Sequence, residues 1–167
     1  VIGVVLAGGA ARRFGSDKAL ARTDGVPMAR RVADVLRDAG LRPVVVARHE
    51  RPELGVETWI EADGPRHPAW GLAAALARAG GEAVFVAPCD VPGLTVDTVR
   101  VLRAARAVAT ACPLVGWWPA GSEAWLLRGA HAGTPMRALA DACCRWLDVG
   151  AIVNLNAPPG VAHAPSS

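Results

Sequence analysis

Lysine is almost missing from this sequence. Among 167 residues there are 18 lysine and arginine side chains, and only Lys18 is lysine. Where the background so strongly prefers arginine for surface charge, that exception calls for a reason. Long apolar runs are missing too. Although 52% of the residues are apolar, no segment approaches the ~18 uninterrupted apolar residues of a membrane span, so a chain without a membrane partner is expected. The sequence opens directly on VIGVVLAGG, without the basic start and cleavage site of a signal peptide, and a cytoplasmic location follows as the expectation. Cys89, Cys112, Cys143 and Cys144 lack CxxC or any other metal-ligand spacing and read as buried thiols. His49, His67 and His131 have no partner at ligand spacing, and no Ser/His/Asp signature is present. The net charge is only +3, with arginines spread along the chain and no aromatic interleaving. That argues against nucleic acid and leaves a small anionic ligand. Neither GxGxxG nor the Walker pattern GxxxxGKS/T occurs, which disfavours the dinucleotide fold and the P-loop.

What is present alternates in period. A chain of this length suits one domain, taken here as residues 1–158 with a fraying tail over 159–167. Residues 1–6 read as a buried strand, and Met28, Val32, Val35, Leu36 and Ala39 recur at helical spacing up to a capping Gly40. Strands are expected at 44–46, 56–60 and 83–87, an Ala-rich helix at 69–79, and a helix capped by Thr95 reaching residue 106. Further on, 108–112, 124–127 and 152–155 read as strands and 136–142 as a helix. Strands alternating with helices predict an α/β sandwich around a mostly parallel sheet, with antiparallel pieces late in the chain.

In such a sheet, ligands bind at the carboxyl ends of the strands. The first strand delivers LAGGAARRFGSDKAL, in which Gly8 and Gly9 would let backbone amides approach a phosphate and Arg12, Arg13 and Lys18 supply positive charge. An ammonium is a compact point charge that fits among phosphate oxygens, which gives a physical reason to retain one lysine; a tight turn with solvated charges is the plainer alternative. Asp90 follows another apolar run and is held between Pro88 and Pro92. A hard carboxylate there suits Mg²⁺, which takes one or two carboxylates and completes its shell with water and phosphates; a turn aspartate is the alternative. Asp63 in EADGPRHPAWG is a second candidate for holding a nucleotide, in a Gly/Pro turn where Asp is common. Asn154 and Asn156 share one face if their segment is extended, as readers of a polar heterocycle or as Asx turns.

LAGGAARRFGSDKAL with Gly25 and Pro27 resembles the LAGGxxxRxGxDKxLxxxxGxP signature of molybdenum cofactor guanylyltransferases, nucleotidyltransferases with a Rossmann-like, three-layer α/β/α fold. PCDVP and NLNAP resemble that family's later PCDxP and NxNTP motifs, in the same order. The resemblance implies transfer of GMP from GTP to the phosphate of molybdopterin, with release of pyrophosphate and Mg²⁺ as cofactor. By position it implies that Leu6, Ala7, Gly8 and Gly9 meet the nucleotide and Asp63 holds it. Lys18 and Arg13 serve the phosphates and Asp90 the metal, while Asn154 and Asn156 lie on the acceptor side. Cofactor-biosynthesis or molybdoenzyme-delivery proteins are candidate partners.

The sequence also departs from that pattern. Ala47, Arg48 and His49 stand where the family has Asn after the second strand, and HPAWGL replaces GPLxG with Trp70 at a normally small position. Ser122 and Glu123 replace a His-Pro pair. Two other readings therefore stay open: a related transferase using CTP or another phosphorylated acceptor, and a nucleotide- or cofactor-binding subunit without turnover.

Overall fold

The computed structural model describes residues 1–8 and 19–152. Seven strands form one sheet in the order β5-β4-β1-β6-β8-β7-β9. Its first half is parallel: β1 (Ile2–Leu6) lies between β4 (Arg42–Ala47) and β6 (Val84–Pro88), with β5 (Thr58–Ile60) at the outer edge. The second half turns antiparallel, since β8 (Cys112–Trp118) runs against both β6 and β7 (Ala107–Ala109), and β9 (Arg145–Leu147) then lies parallel to β7. A two-stranded hairpin, β2 (Arg22–Thr23) and β3 (Val26–Pro27), precedes the first helix.

The α/β/α layering follows from side-chain alternation. Along the first strand, Val5 and the following Ala7 face α1 (Met28–Asp38) and α3 (Val96–Ala105), in a cluster with Leu36, Phe85 and Leu102. Val4 and Leu6 face the other way, towards α2 (Pro68–Arg78), α4 (Glu123–Ala132) and α5 (Met136–Cys143), in a cluster with Leu72, Leu126 and Leu139. Strands buried on both faces read as continuous apolar runs, which is why they are legible as such. Gly40 takes φ +82° just past α1, and the Thr95 hydroxyl accepts from the Thr98 backbone N–H at 3.2 Å as a helix cap.

Several expectations need correction. Residues 124–127 are not a strand but part of α4. Leu126, Gly129 and Ala130 are buried at helical spacing, and Gly133 ends the helix in the left-handed region, whereas Ala-Trp-Leu-Leu alone is too short to show a period. The strand expected over 108–112 is broken by a turn, giving β7 and the start of β8. Strand β8 itself contains Pro113 and Gly116, residues that mask a strand in sequence. Only Cys89 is a buried thiol; Cys112, Cys143 and Cys144 are half-buried. The expected strand at 152–155 lies, beyond Ile152, outside the described residues, as does the tail 159–167.

Candidate nucleotide site

Each parallel strand ends at the same edge, and the residues just past it carry the site. Gly8 lies two residues beyond β1, Arg48 directly follows β4, Glu61 directly follows β5 and Asp90 lies two residues beyond β6. Backbone pairing continues past the strand ends and fixes these residues relative to each other. Ala7 N–H donates to Val46 C=O at 2.8 Å, Glu61 N–H to Ala47 C=O at 2.9 Å, and Cys89 N–H to Leu6 C=O at 3.1 Å. Between them opens a cavity of about 310 Å³, walled by Leu6, Ala7 and Gly8 on the β1 side, by Arg48 and Glu61 on the β4–β5 side, and by Asp90 on the β6 side.

Glu61 is buried, and its side chain is only 6% exposed. Its carboxylate occupies the space that side chains at Gly8 and Gly71 would need: a Cβ on Gly8 would fall 2.3 Å from Oε1, and one on Gly71 2.6 Å from Oε2. Burial pushes the carboxyl above its ordinary value, and the Arg48 guanidinium, with Nε 3.3 Å from Oε1, opposes that rise. Arg48 also donates to the Gly64 carbonyl at 3.1 Å, tying the loop after β5 to the end of β4.

That loop is held from its other side by α2. His67 caps the helix, its Nδ1 accepting from the Ala69 N–H at 3.2 Å. Trp70 lies so close over Gly64 that a Cβ there would fall 2.3 Å from its ring, and its indole N–H donates to the Ala62 carbonyl at 2.8 Å. The large residue at position 70 thus clamps the cavity's rim loop. It also meets His131 of α4 edge-on, with ring centroids 5.4 Å apart.

The sequence-predicted residues fall into three groups. Leu6, Ala7, Gly8 and Asp90 line the cavity together. Asp63 lies on the rim, fully exposed and 3.9 Å from Arg48, and does not line the cavity. Gly9, Arg12, Arg13, Lys18, Asn154 and Asn156 lie outside the described residues, which break off at Gly8 in the cavity wall and resume at the buried Ala19. Glu61 and Arg48 are the site residues that sequence reasoning missed as such. The available signal was their position, each the first residue past an apolar strand. Among the described residues no three His, Cys, Asp or Glu side chains cluster as a ready metal cage, and no helix is long and apolar enough to cross a membrane.

Comparison with known proteins agrees with this layout. The model of the MobA-like NTP transferase domain matches residues 3–148. A protein of Opitutus terrae named probable molybdenum cofactor guanylyltransferase is 38% identical over 109 residues, 62% of this chain and 54% of that protein. The molybdenum cofactor guanylyltransferase of Xanthomonas euvesicatoria pv. vesicatoria is 39% identical over 103 residues, 61% of this chain and 53% of its own. The chain thus spans about half the length of the curated relatives it matches. Among solved structures, molybdopterin-guanine dinucleotide biosynthesis protein A from Archaeoglobus fulgidus superposes with a TM-score of 0.71 at 18% identity, covering 89% of this chain and 84% of that one, a likeness of fold.

Proposed function

The chain belongs to the MobA-like NTP transferase domain family, and from that premise we propose that it transfers GMP from GTP to the phosphate of molybdopterin, releasing pyrophosphate. The observation that supports the reading is the one cavity that Leu6, Ala7 and Gly8 line together with Asp90. In this reaction a phosphate oxygen of the acceptor attacks the α-phosphorus of GTP. The bond from that phosphorus to the bridging oxygen breaks, and pyrophosphate leaves with the electron pair. No protein nucleophile is required, so catalysis rests on positioning and on stabilising charge.

Residues of this chain divide that work. Gly8, with no side chain, leaves room for the Glu61 carboxylate and sits in the cavity wall beside the nucleotide. Lys18 and Arg13, in the segment that follows, meet the phosphates, and Asn154 and Asn156 meet the acceptor. The donor chemistry of the cavity suits Mg²⁺ delivered with a triphosphate. Asp90 supplies one hard carboxylate, sufficient for an ion that completes its shell with phosphate oxygens and water, and the ion would neutralise charge developing on pyrophosphate. The cytoplasm, where such substrates are made, is the location that fits this role.

The reading is tested by pyrophosphate release from Mg-GTP in the presence of molybdopterin. Asp90→Asn and Lys18→Ala should each lower turnover about a hundredfold or more, the scale of losing one stabilising group in a transition state. Wild-type turnover in either variant contradicts the assignment.

A further inference from the structure

A buried carboxylate is out of place in a pocket built for a triphosphate, because it repels the phosphates and costs energy to desolvate. Glu61 nevertheless lies in the cavity wall, and two glycines on different elements, Gly8 after β1 and Gly71 in α2, leave it the space it fills. Arg48 neutralises part of its charge from one side. The exposed Asp63 also faces Arg48, at 3.9 Å. A carboxylate so placed asks for a ligand group that brings hydrogen-bond donors and no negative charge.

Strand order says which end of a nucleotide that is. Glu61 follows β5 and Asp90 follows β6, with β4 and β1 between them. The Glu61 carboxylate reaches back to Gly8, past the end of β1, so it and Asp90 flank Gly8 from the β5 side and the β6 side of the cavity. With Asp90 assigned above to the metal and the phosphates on the β6 side of the cavity, the β4–β5 side receives the base.

We propose that Glu61, held between Gly8 and Gly71 and oriented by Arg48, is the residue that selects guanine, its carboxylate accepting hydrogen bonds from the base N1–H and 2-amino group. This rests on the nucleotidyl-transfer reading above and adds to it the source of base choice. Guanine presents two adjacent donors on that edge, a match for the two oxygens of one carboxylate. Cytosine, uracil and adenine do not. The chain thereby has a means of base selection even with Ala47 where its relatives' pattern has asparagine. Arg48 acts as a positioning residue.

Titration calorimetry with analogues tests this on the wild-type chain. GTP should bind at least about tenfold tighter than inosine triphosphate, which lacks the 2-amino group, because hydrogen bonds to charged groups are strong. Xanthosine triphosphate, with a carbonyl at that position, should bind more weakly still. In Glu61→Gln the GTP-to-inosine ratio should fall below about threefold, and the preference should shift at least about tenfold towards xanthosine triphosphate, to whose carbonyl the new amide can donate. Equal wild-type affinities for GTP and inosine triphosphate overturn the assignment. So does a ratio unchanged in the variant, or a preference that tracks the ribose hydroxyls of 2′-deoxy-GTP instead of the base. GTP-selective binding that depends on Glu61 but gives no pyrophosphate release removes the transfer reading and keeps this one. Turnover with indiscriminate binding does the reverse. No triphosphate binding at all overturns both.

Discussion

Two adjacent thiols show how a half-buried residue acquires its chemistry. Cys143 and Cys144, at the end of α5, hold their sulfurs 3.7 Å apart. The Cys144 thiol can donate to a Cys143 thiolate, and this lowers Cys143 from the ordinary value of 9.0 to about 7 despite the opposing effect of burial. Because the thiolate is the nucleophile, alkylation of Cys143 should rise with pH through a midpoint near 7 and level off well above it. Cys144→Ala, which removes the donor, should move that midpoint upward towards 9; a wild-type midpoint that already lies near 9 contradicts the contact. At this scale the sequence is partly legible. Asp90 can be read from its place after an apolar run, and the same rule applied to Ile60-Glu61 finds the buried acid. Asp63 stands out in sequence because it sits in a Gly/Pro turn, yet the sheet fixes Glu61, the first residue past β5, at the ligand edge. The burial of Glu61 comes from Gly8 and Gly71, far apart in sequence, and only the fold brings them together.

Elements differ in how much of their identity is local. Strands β1, β4 and β6 and helices α1, α2 and α3 are readable because each carries its own period and its own stop signals. Helix α4 is not, since Trp125, Leu126 and Leu127 form a short apolar run that either structure accepts, and its packing against α2 decides the matter. Strand β8 is hidden by the residue that makes it fit. Gly116 adopts φ +145°, where the sheet register shifts between β7 and β8, and a Cβ there would meet the Ala107 carbonyl oxygen and the Val108 Cα, each at 2.4 Å. Those atoms are backbone in a buried strand and cannot give way cheaply. Gly116→Ala should therefore destabilise the fold by about 1–3 kcal/mol or more through overpacking and backbone strain. Gly121→Ala serves as the comparison, since its φ is +82° but nothing lies within 4 Å of the added Cβ. Equal losses of denaturation midpoint in the two variants would mean that the close approach at β7 carries no cost.

The whole molecule joins a parallel half, β5-β4-β1-β6, to an antiparallel half, β8-β7-β9. The cavity lies at the strand ends of the parallel half, and β8 contributes Cys112 and Leu114 to its far wall. Cys112 is raised first by burial, and the nearby Asp90 charge adds to the rise, so the antiparallel half closes against the Asp90 carboxylate. On the proposed reading this one cavity has a base end at Glu61 and a phosphate end at Asp90, and the acceptor approaches the phosphate end. Guanylyl transfer is read out by offering the chain Mg²⁺, molybdopterin and equal concentrations of GTP, CTP, ATP and UTP, and identifying the dinucleotide products by mass spectrometry. The guanine dinucleotide should form in at least about tenfold excess over every other, with one pyrophosphate released per product. A cytosine dinucleotide as the main product, or none from any triphosphate, would contradict it.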